Sequence, residues 1–471
     1  MNMPPINEQA HQEIERIFRL LLPQNGLTVR EEQIALCHAM LDALLQNKIT
    51  LCDAGVGIGK TYTYLTACVL LKKFHPADAQ PVVVSTSSVA LQDAIIGEYL
   101  PFLSRIFLEN HIIQKPIRAV VRKGKERFVC DVLLNQRLEA IGDKEKNAEQ
   151  RQALLSLKAH YDLDDVPGLS GFDRRQVCVP KVCPRDCQQR STCRYHRYLR
   201  EARSAEIFVQ ICNHNYLLAD AVHRLQELHP LLNDYRALVI DEAHKLPEAA
   251  RQMYGHNLSA EDFTESCDLL AREKQGLAAQ RLQEKFRILM SSLCRGELLE
   301  EAQRTAFVLT PVREAALRDC LSLLRQLQKQ LAPRLPRWIL HRLGTTEHTL
   351  NLFFAGDRRY ILYLQYDRAG SPSLCAASRE TPEQLSRTLW MRRIPAILTS
   401  GTLMAGNSFG RTEALMGLSA CQRLTHFAAA SPFNYEENCL LYPNVLSMPV
   451  VVVRLFPTNG RVISVTSLCP R

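Results

Sequence analysis

Lys48-Ile49-Thr50-Leu51-Cys52-Asp53-Ala54-Gly55-Val56-Gly57-Ile58-Gly59-Lys60-Thr61-Tyr62-Thr63-Tyr64-Leu65 is the stretch whose reading decides the fold. A short apolar run, KITLC over 48–52, enters a glycine-rich turn, and TYTYLTACVLLKKF over 61–74 continues with helical character. The turn at 54–61 therefore lies between a strand and a helix. Gly55, Gly57 and Gly59 let backbone N–H groups wrap phosphate oxygens, and the helix N-terminus adds a favourable dipole. Lys60 is placed to reach the β- and γ-phosphates, and the Thr61 hydroxyl to ligate Mg2+. The strict phosphate-loop pattern begins with glycine, whereas this one begins with Ala54.

The same rhythm extends outward. Residues 8–22 and 30–46 have helical spacing, and PVVVST (81–86) reads as a strand before a helix beginning near Val89. IRAVV (117–121), IFVQIC (207–212), RALVI (236–240) and PAILTS (395–400) are further short apolar strands. Strands alternating with helices predict a parallel α/β sheet. Asp241-Glu242-Ala243-His244 ends RALVI. A carboxylate at the end of such a strand can hold Mg2+ opposite Thr61, and the next glutamate can orient or deprotonate an attacking water. Lys60, Asp241, Glu242 and His244 form the candidate catalytic set.

Composition sets the outer limits. At 100–200 residues per domain, 471 residues suggest roughly three domains. Hydrophobic residues at 46% and charged residues at 23% suit a globular chain and exclude a disordered one. The formal charge of +9 permits a polyanionic partner without requiring one. The longest uncharged stretches, 394–410 and 438–453, are interrupted by Pro, Asn, Ser or Gly and fall short of the ~18 apolar residues a membrane span needs. The N-terminus has no apolar core for a signal peptide, so a cytoplasmic location without membrane contact is expected.

Residues 122–203 break the α/β rhythm. A charged helical stretch at 134–160 precedes Cys178, Cys183, Cys187 and Cys193. In a reducing compartment such a cluster reads as metal ligation before disulfides. Residues 171–203 hold nine Lys/Arg against three Asp/Glu. Arg174, Arg175, Lys181, Arg185, Arg190, Arg194, Arg197 and Arg200 are candidate phosphate contacts, and Tyr195 and Tyr198 candidate base-stacking residues. For any one of them taken singly, a solvated charged face is the better account. Residues 259–342 have leucines at helical spacing, and 349–378 (TLNLFF, RRYILYLQY, SLCAAS) alternate in the manner of a small β-meander.

Taken in order, these blocks resemble the DinG-type DNA helicases, of the family that includes the iron–sulfur helicase XPD. The phosphate loop beginning with alanine is the usual helicase form. Arg30-Glu31-Glu32-Gln33 resembles the adenine-sensing motif, so Arg30 and Gln33 join Gly55, Gly57, Gly59, Lys60, Thr61 and Asp241 as ATP-binding candidates. Ser85-Thr86 through Leu91-Gln92 resembles motif Ia, which contacts DNA backbone. Lys123 through Cys130 resembles the lead-in to the first cluster cysteine, Cys212 through Asp220 the block before the DEAH box, and Thr399-Ser400-Gly401-Thr402-Leu403 motif III. The match covers about residues 25–440.

The resemblance implies ATP, Mg2+ and a [4Fe–4S] cluster as cofactors, single-stranded or forked DNA as partner, 5′-to-3′ movement, and a place in DNA repair. Cys130, Cys183, Cys187 and Cys193 are the implied cluster ligands and Thr61 and Asp241 the Mg2+ ligands; Cys178 is a fifth thiolate, and zinc also accepts four thiolates. The implied fold is a RecA-like P-loop parallel sheet with an inserted iron–sulfur domain and a mainly helical Arch-like insertion. The motor domain would occupy 1–121, 204–255 and 346–405, with the cluster insertion at 122–203 and the helical insertion at 256–345. A second motor domain would begin at 406–444. The family's Gln-x-x-Gly-Arg-x-x-Arg motif does not occur; Gly410-Arg411 and Gly460-Arg461 both lack the preceding glutamine. The tail 445–471 contains three arginines and no acid and matches nothing, so a truncated or frameshifted gene with the second motor domain largely missing is expected.

Overall fold

The computed structural model describes residues 6–76, 80–142, 147–180, 183, 187–294 and 303–429, and the strand segments 439–443, 451–455 and 463–466. Two compact units emerge. One comprises Met1–Lys245, Trp390–Glu413 and Ser419–Arg471, the other Leu246–Leu389 and Ala414–Leu418. In chain order the strands are β1 Ile49–Ala54, β2 Val82–Thr86, β3 Ala119–Arg122, β4 Val209–Cys212, β5 Ala237–Asp241, β6 His256–Leu258, β7 Gln303–Ala306, β8 Tyr360–Tyr366, β9 Pro372–Ser378, β10 Ala396–Ser400, β11 Leu424–Ala429, β12 Cys439–Pro443, β13 Val451–Leu455 and β14 Ile463–Thr466.

The first unit is built on a seven-stranded parallel sheet of order β11-β1-β10-β5-β2-β4-β3. Every residue of β2, β5 and β10 is buried, which explains their unbroken apolar runs: a parallel strand covered on both faces has no polar side. The edge strand β3 is only partly covered. The helix Lys60–Phe74 follows β1 directly and buries nine consecutive residues, Thr63 through Leu71. Its core includes Ile14, Met40, Tyr64, Phe107, Ile211 and Ile397.

Of residues 406–444, expected to open a second motor domain, the segment Leu424–Ala429 instead joins the first sheet. β11 pairs in parallel with β1, from Ile49 opposite Leu424 to Ala54 opposite Ala429, and so completes the first sheet. Ser431-Pro432-Phe433-Asn434-Tyr435, where the resemblance fades, lies outside the described residues. In the tail, β13 pairs antiparallel with β12 and β14.

The expected cluster insertion forms two small cores. One joins Val129, Leu134, Leu138, Leu154 and Val177; the other joins Phe128, Val179, Tyr198 and Ala202. The helical stretch expected at 134–160 is two helices, Asp131–Ile141 and Ala148–Ser156.

The second unit contains four longer helices, Ala260–Arg272, Gly276–Leu293, Pro311–Leu331 and Arg337–Ala355. Ser259 and Asp262 form a reciprocal capping box at the first, and Thr310 caps the third just before Pro311. Leu317, Leu321, Leu324 and Leu331 carry the buried stripe of the third. An antiparallel sheet of order β6-β9-β8-β7 completes the unit. This corrects two expectations. TLNLFF (349–354) is helix rather than strand, because Leu343, Leu350 and Phe353 continue the spacing of a helix already running from Arg337 and stopped by Gly356 at φ +60°. Residues 346–389 fold with the helical unit rather than the motor sheet, because β8 and β9 take their partners from β6 and β7. Among the described residues no helix is long and apolar enough to cross a membrane.

Candidate functional site

The central strands β1, β10 and β5 are neighbours and parallel, so the phosphate loop, Thr399–Leu403 and Asp241–His244 all leave the sheet at the same, C-terminal edge. In open α/β sheets that edge is where ligands bind. Gly57 and Gly59 both have φ +87°, a conformation L side chains rarely adopt. A Cβ at Gly59 would also stand 2.2 Å from Gln33 Nε2, so the Gln33 amide would have to move off the loop.

Arg30 and Gln33 hold this loop from outside. Gln33 Nε2 donates to the Gly59 carbonyl at 3.0 Å, and the Arg30 guanidinium donates to the Gly57 carbonyl. Inside it, Lys60 Nζ donates to Ala54 O at 3.1 Å and Gly55 O at 3.5 Å. The ammonium thus spans the loop and can exchange those carbonyls for phosphate oxygens.

Asp241 is 2% exposed. Burial, and then the neighbouring Glu242 charge, push its carboxyl up to about 6. The Tyr64 hydroxyl donates to Asp241 Oδ2 at 3.3 Å, and the Thr61 hydroxyl acts on the same phenol. Tyr64 therefore links the two expected Mg2+ ligands, a role that sequence reading did not assign. Its only local signal is its place one turn after Thr61.

Glu242 sits at φ +52°, with its N–H donating to Asp241 Oδ1 at 2.9 Å. His244 Nδ1 lies 2.7 Å from Ser400 Oγ and 3.3 Å from Glu242 Oε2, and the Ser400 hydroxyl is 3.4 Å from the same Glu242 oxygen. The DEAH segment and Thr399–Leu403 thus form one polar network. Asp53, also unassigned from sequence, accepts from Leu403 N at 2.7 Å and Met404 N at 2.6 Å, tying this loop to β1.

The raised Asp241 carboxyl gives a signed expectation for the metal-free protein. Its ordinary unfolded value lies near 3.9. The native state therefore binds more protons than the unfolded state between about 4 and 6. The Asp241 contribution to stability is full below that window and is lost as pH rises through about 6. Thermal melts in EDTA should show Asp241→Asn gaining on the wild type as pH is raised from 4 to 7; a pH-independent difference would contradict the buried acid.

The motif Ia resemblance is only partly surface. Ser85, Thr86 and Gln92 are buried, and Ser85 Oγ lies 2.8 Å from His214 Nδ1. Burial lowers His214 to about 4. Exposure in this segment falls on Val89 and its neighbours, so any DNA contact here belongs to residues 87–91.

The insertion corrects other expectations. Tyr198 is buried, its hydroxyl donates to Val121 O at 2.7 Å, and its ring packs 4.5 Å from that of Phe128, so it is core rather than a stacking platform. Tyr195 is half-buried and packs against Phe128 at 5.3 Å. Arg194 forks onto Asp131 and donates to the carbonyls of Leu157, Lys158 and His160; Arg174 pairs with Asp164 at 2.9 Å. Both are structural. Arg175, Arg190, Arg197 and Arg200 are exposed, with no carboxylate partner among the described residues. Lys181 and Arg185 lie outside the described residues.

Cys130 and Cys193 stand at the N-termini of the helices Asp131–Ile141 and Arg194–Ala202. Among the described residues no three His, Cys, Asp or Glu side chains are gathered as a metal-holding group. The Cys183 thiol nevertheless lies within electrostatic reach of Cys130, Cys193 and Cys187. Cys178 bridges Val129 in antiparallel fashion, its thiol donates to Arg175 O at 3.5 Å, and it too lies within electrostatic reach of Cys130.

A parallel α/β sheet with a glycine-rich loop braced beside a buried acid defines a P-loop-type nucleotide-binding architecture. No family model matches the chain. It is homologous to bacterial proteins named ATP-dependent DNA helicase YoaA and ATP-dependent DNA helicase DinG. Identity is 27% with Escherichia coli K12 YoaA, over 50% of this chain and 36% of that one. It is 23% with Haemophilus influenzae YoaA, over 91% and 68%, and 26% with Salmonella typhimurium DinG, over 85% and 64%. The chain thus spans between about a third and two thirds of these curated relatives. Among solved structures, an XPD helicase and a truncated XPD align over 85% and 84% of the chain, and over 62% and 99% of their own, at 15% identity and TM-score 0.40.

Proposed function

We propose that the chain is the ATP-binding part of a DinG-type DNA helicase, in which ATP hydrolysis drives 5′-to-3′ movement on single-stranded DNA and unwinding during repair. The observation that carries this reading is the meeting of Lys60, Asp241, Glu242 and Ser400 at one edge of three adjacent strands. Lys60 and the amides at Gly55, Gly57 and Gly59 hold the triphosphate. Thr61 and Asp241 hold Mg2+, Glu242 orients the attacking water, and His244 with Ser400 fixes Glu242. Arg30 and Gln33 read the adenine from their seats on the loop.

Cys130, Cys183, Cys187 and Cys193 are the donors for a [4Fe–4S] cluster, supported by the electrostatic reach of Cys183 to the other three, with Cys178 the alternative donor beside Cys130. When bound, the cluster pins the small insertion. Arg175, Arg190, Arg197 and Arg200 neutralise phosphates of single-stranded or forked DNA.

A second reading, an ATP- and single-stranded-DNA-binding fragment with little turnover, is favoured by one fact: the 471 residues contain no Gln-x-x-Gly-Arg-x-x-Arg sequence to supply an arginine at the γ-phosphate. Anaerobic purification tests the cluster. Brown protein with broad visible absorption, lost in Cys183→Ser and kept in Cys178→Ser, is expected; a colourless zinc-bound protein would overturn that assignment. ATP turnover with and without single-stranded oligonucleotide tests the motor, and a rate indifferent to DNA would count against it.

A further inference from the structure

The helix Lys60–Phe74 starts at the nucleotide edge of the sheet and ends at the opposite edge, where β3 and β4 begin. A cavity of about 780 Å³ opens there, a size ordinary for a ligand site. Its floor is apolar. Val69, Ile112 and Phe208 are buried, and Ile113 and Ile117 are half-buried. Its rim is cationic, with Lys72, Lys73, Lys115 and Arg118 against the single carboxylate of Glu206.

Two of these cations are already paired: Lys73 with Glu13 at 2.9 Å, and Arg118 with Glu206. The other two are not. Lys72 and Lys115 have no carboxylate partner among the described residues, although both stand beside apolar surface. Lys72 Nζ lies 4.4 Å over the ring of Phe208. An ammonium in that position is partly withdrawn from water, and burial lowers its pKa. A carboxylate arriving there gains an ion pair while removing less water than at a fully hydrated lysine.

We propose that this cavity docks an acidic peptide segment of a partner protein, with carboxylates at Lys72 and Lys115 and a bulky apolar side chain on the Ile112–Ile113–Phe208 floor. A nucleic-acid strand fits it poorly. Bases need exposed aromatic faces, whereas Phe208 is 5% exposed and lies beneath Lys72. A phosphate backbone gains nothing from five apolar floor residues. The position suits a tether, because occupancy leaves the phosphate loop and Asp241 open at the other edge of the sheet.

Selecting a random heptapeptide library on the full chain, with Lys72→Glu/Lys115→Glu as counter-target, tests the assignment. Both lysines are exposed, so the double variant should keep the wild-type melting temperature and ADP affinity. The peptides retained should combine two or more carboxylates with Leu, Phe or Trp. Synthesised and measured by fluorescence polarisation, they should lose about tenfold or more in affinity to the double variant, and again to Ile113→Ser. Binding of a single-stranded oligonucleotide should be the same for wild type and double variant. Three results would overturn the proposal: no enrichment over the counter-target, retained peptides without acidic residues, or an oligonucleotide as the ligand the double variant loses.

Discussion

Lys60→Ala is expected to weaken ATP binding by roughly 30- to 5,000-fold, the range for removing one partner of a close charge pair costing about 2–5 kcal/mol. The size follows from the apo arrangement. Lys60 Nζ already sits across the loop on Ala54 O and Gly55 O, so no ordering of its chain remains when phosphate arrives. Its neighbours Arg30 and Gln33 do not replace it, because they hold the loop from outside, on Gly57 O and Gly59 O. Isothermal titration with ATP measures the effect. The melting temperature should be nearly unchanged, because the lysine holds only two carbonyls of its own loop.

The second large effect concerns turnover. A typical enzyme turns over at about 10 s⁻¹. An arginine at the γ-phosphate is worth about 10³–10⁵ of such a rate. The chain alone is therefore expected to hydrolyse bound ATP at about 10⁻² to 10⁻⁴ s⁻¹, with affinity intact. A single-turnover assay with radiolabelled ATP and excess protein measures this without interference from a trace contaminant. An arginine supplied to the γ-phosphate in trans should raise the rate by the same factor. Rapid, DNA-stimulated turnover by the 471 residues alone would instead mean that one of their own arginines does this work.

Local signals picked out the parts of the candidate site that are contiguous in sequence. The glycine-rich turn follows a buried strand, and its positive-φ positions are glycines because other residues would be strained there. The DEAH acids end a strand whose every residue is buried. What holds these pieces together was not legible, because it depends on contacts across the chain. Tyr64 meets Asp241 177 residues away, Asp53 meets Leu403 across 350, and Ser400 meets His244 across 156. Period alone also misread 349–354, where six residues of alternation are outweighed by the helix entering them. Cation counting overstated the phosphate-binding face, since Arg194 and Arg174 spend their charge inside the insertion. Arg122 shows the same limit: one of the largest fully buried side chains, it ends β3 by donating to Leu231 O at 2.5 Å.

The claim on which the rest depends is that a divalent ion joins the nucleotide to Asp241. The most direct measurement is ATP affinity with Mg2+ and with EDTA, for wild type and Asp241→Asn, at pH 7.5. The wild type should bind ATP more tightly by about tenfold or more with Mg2+, and the variant should show little or no such gain while keeping its Mg2+-free affinity. An equal Mg2+ effect in both proteins would contradict the assignment of Asp241 and remove the basis for reading this edge of the sheet as an ATP site.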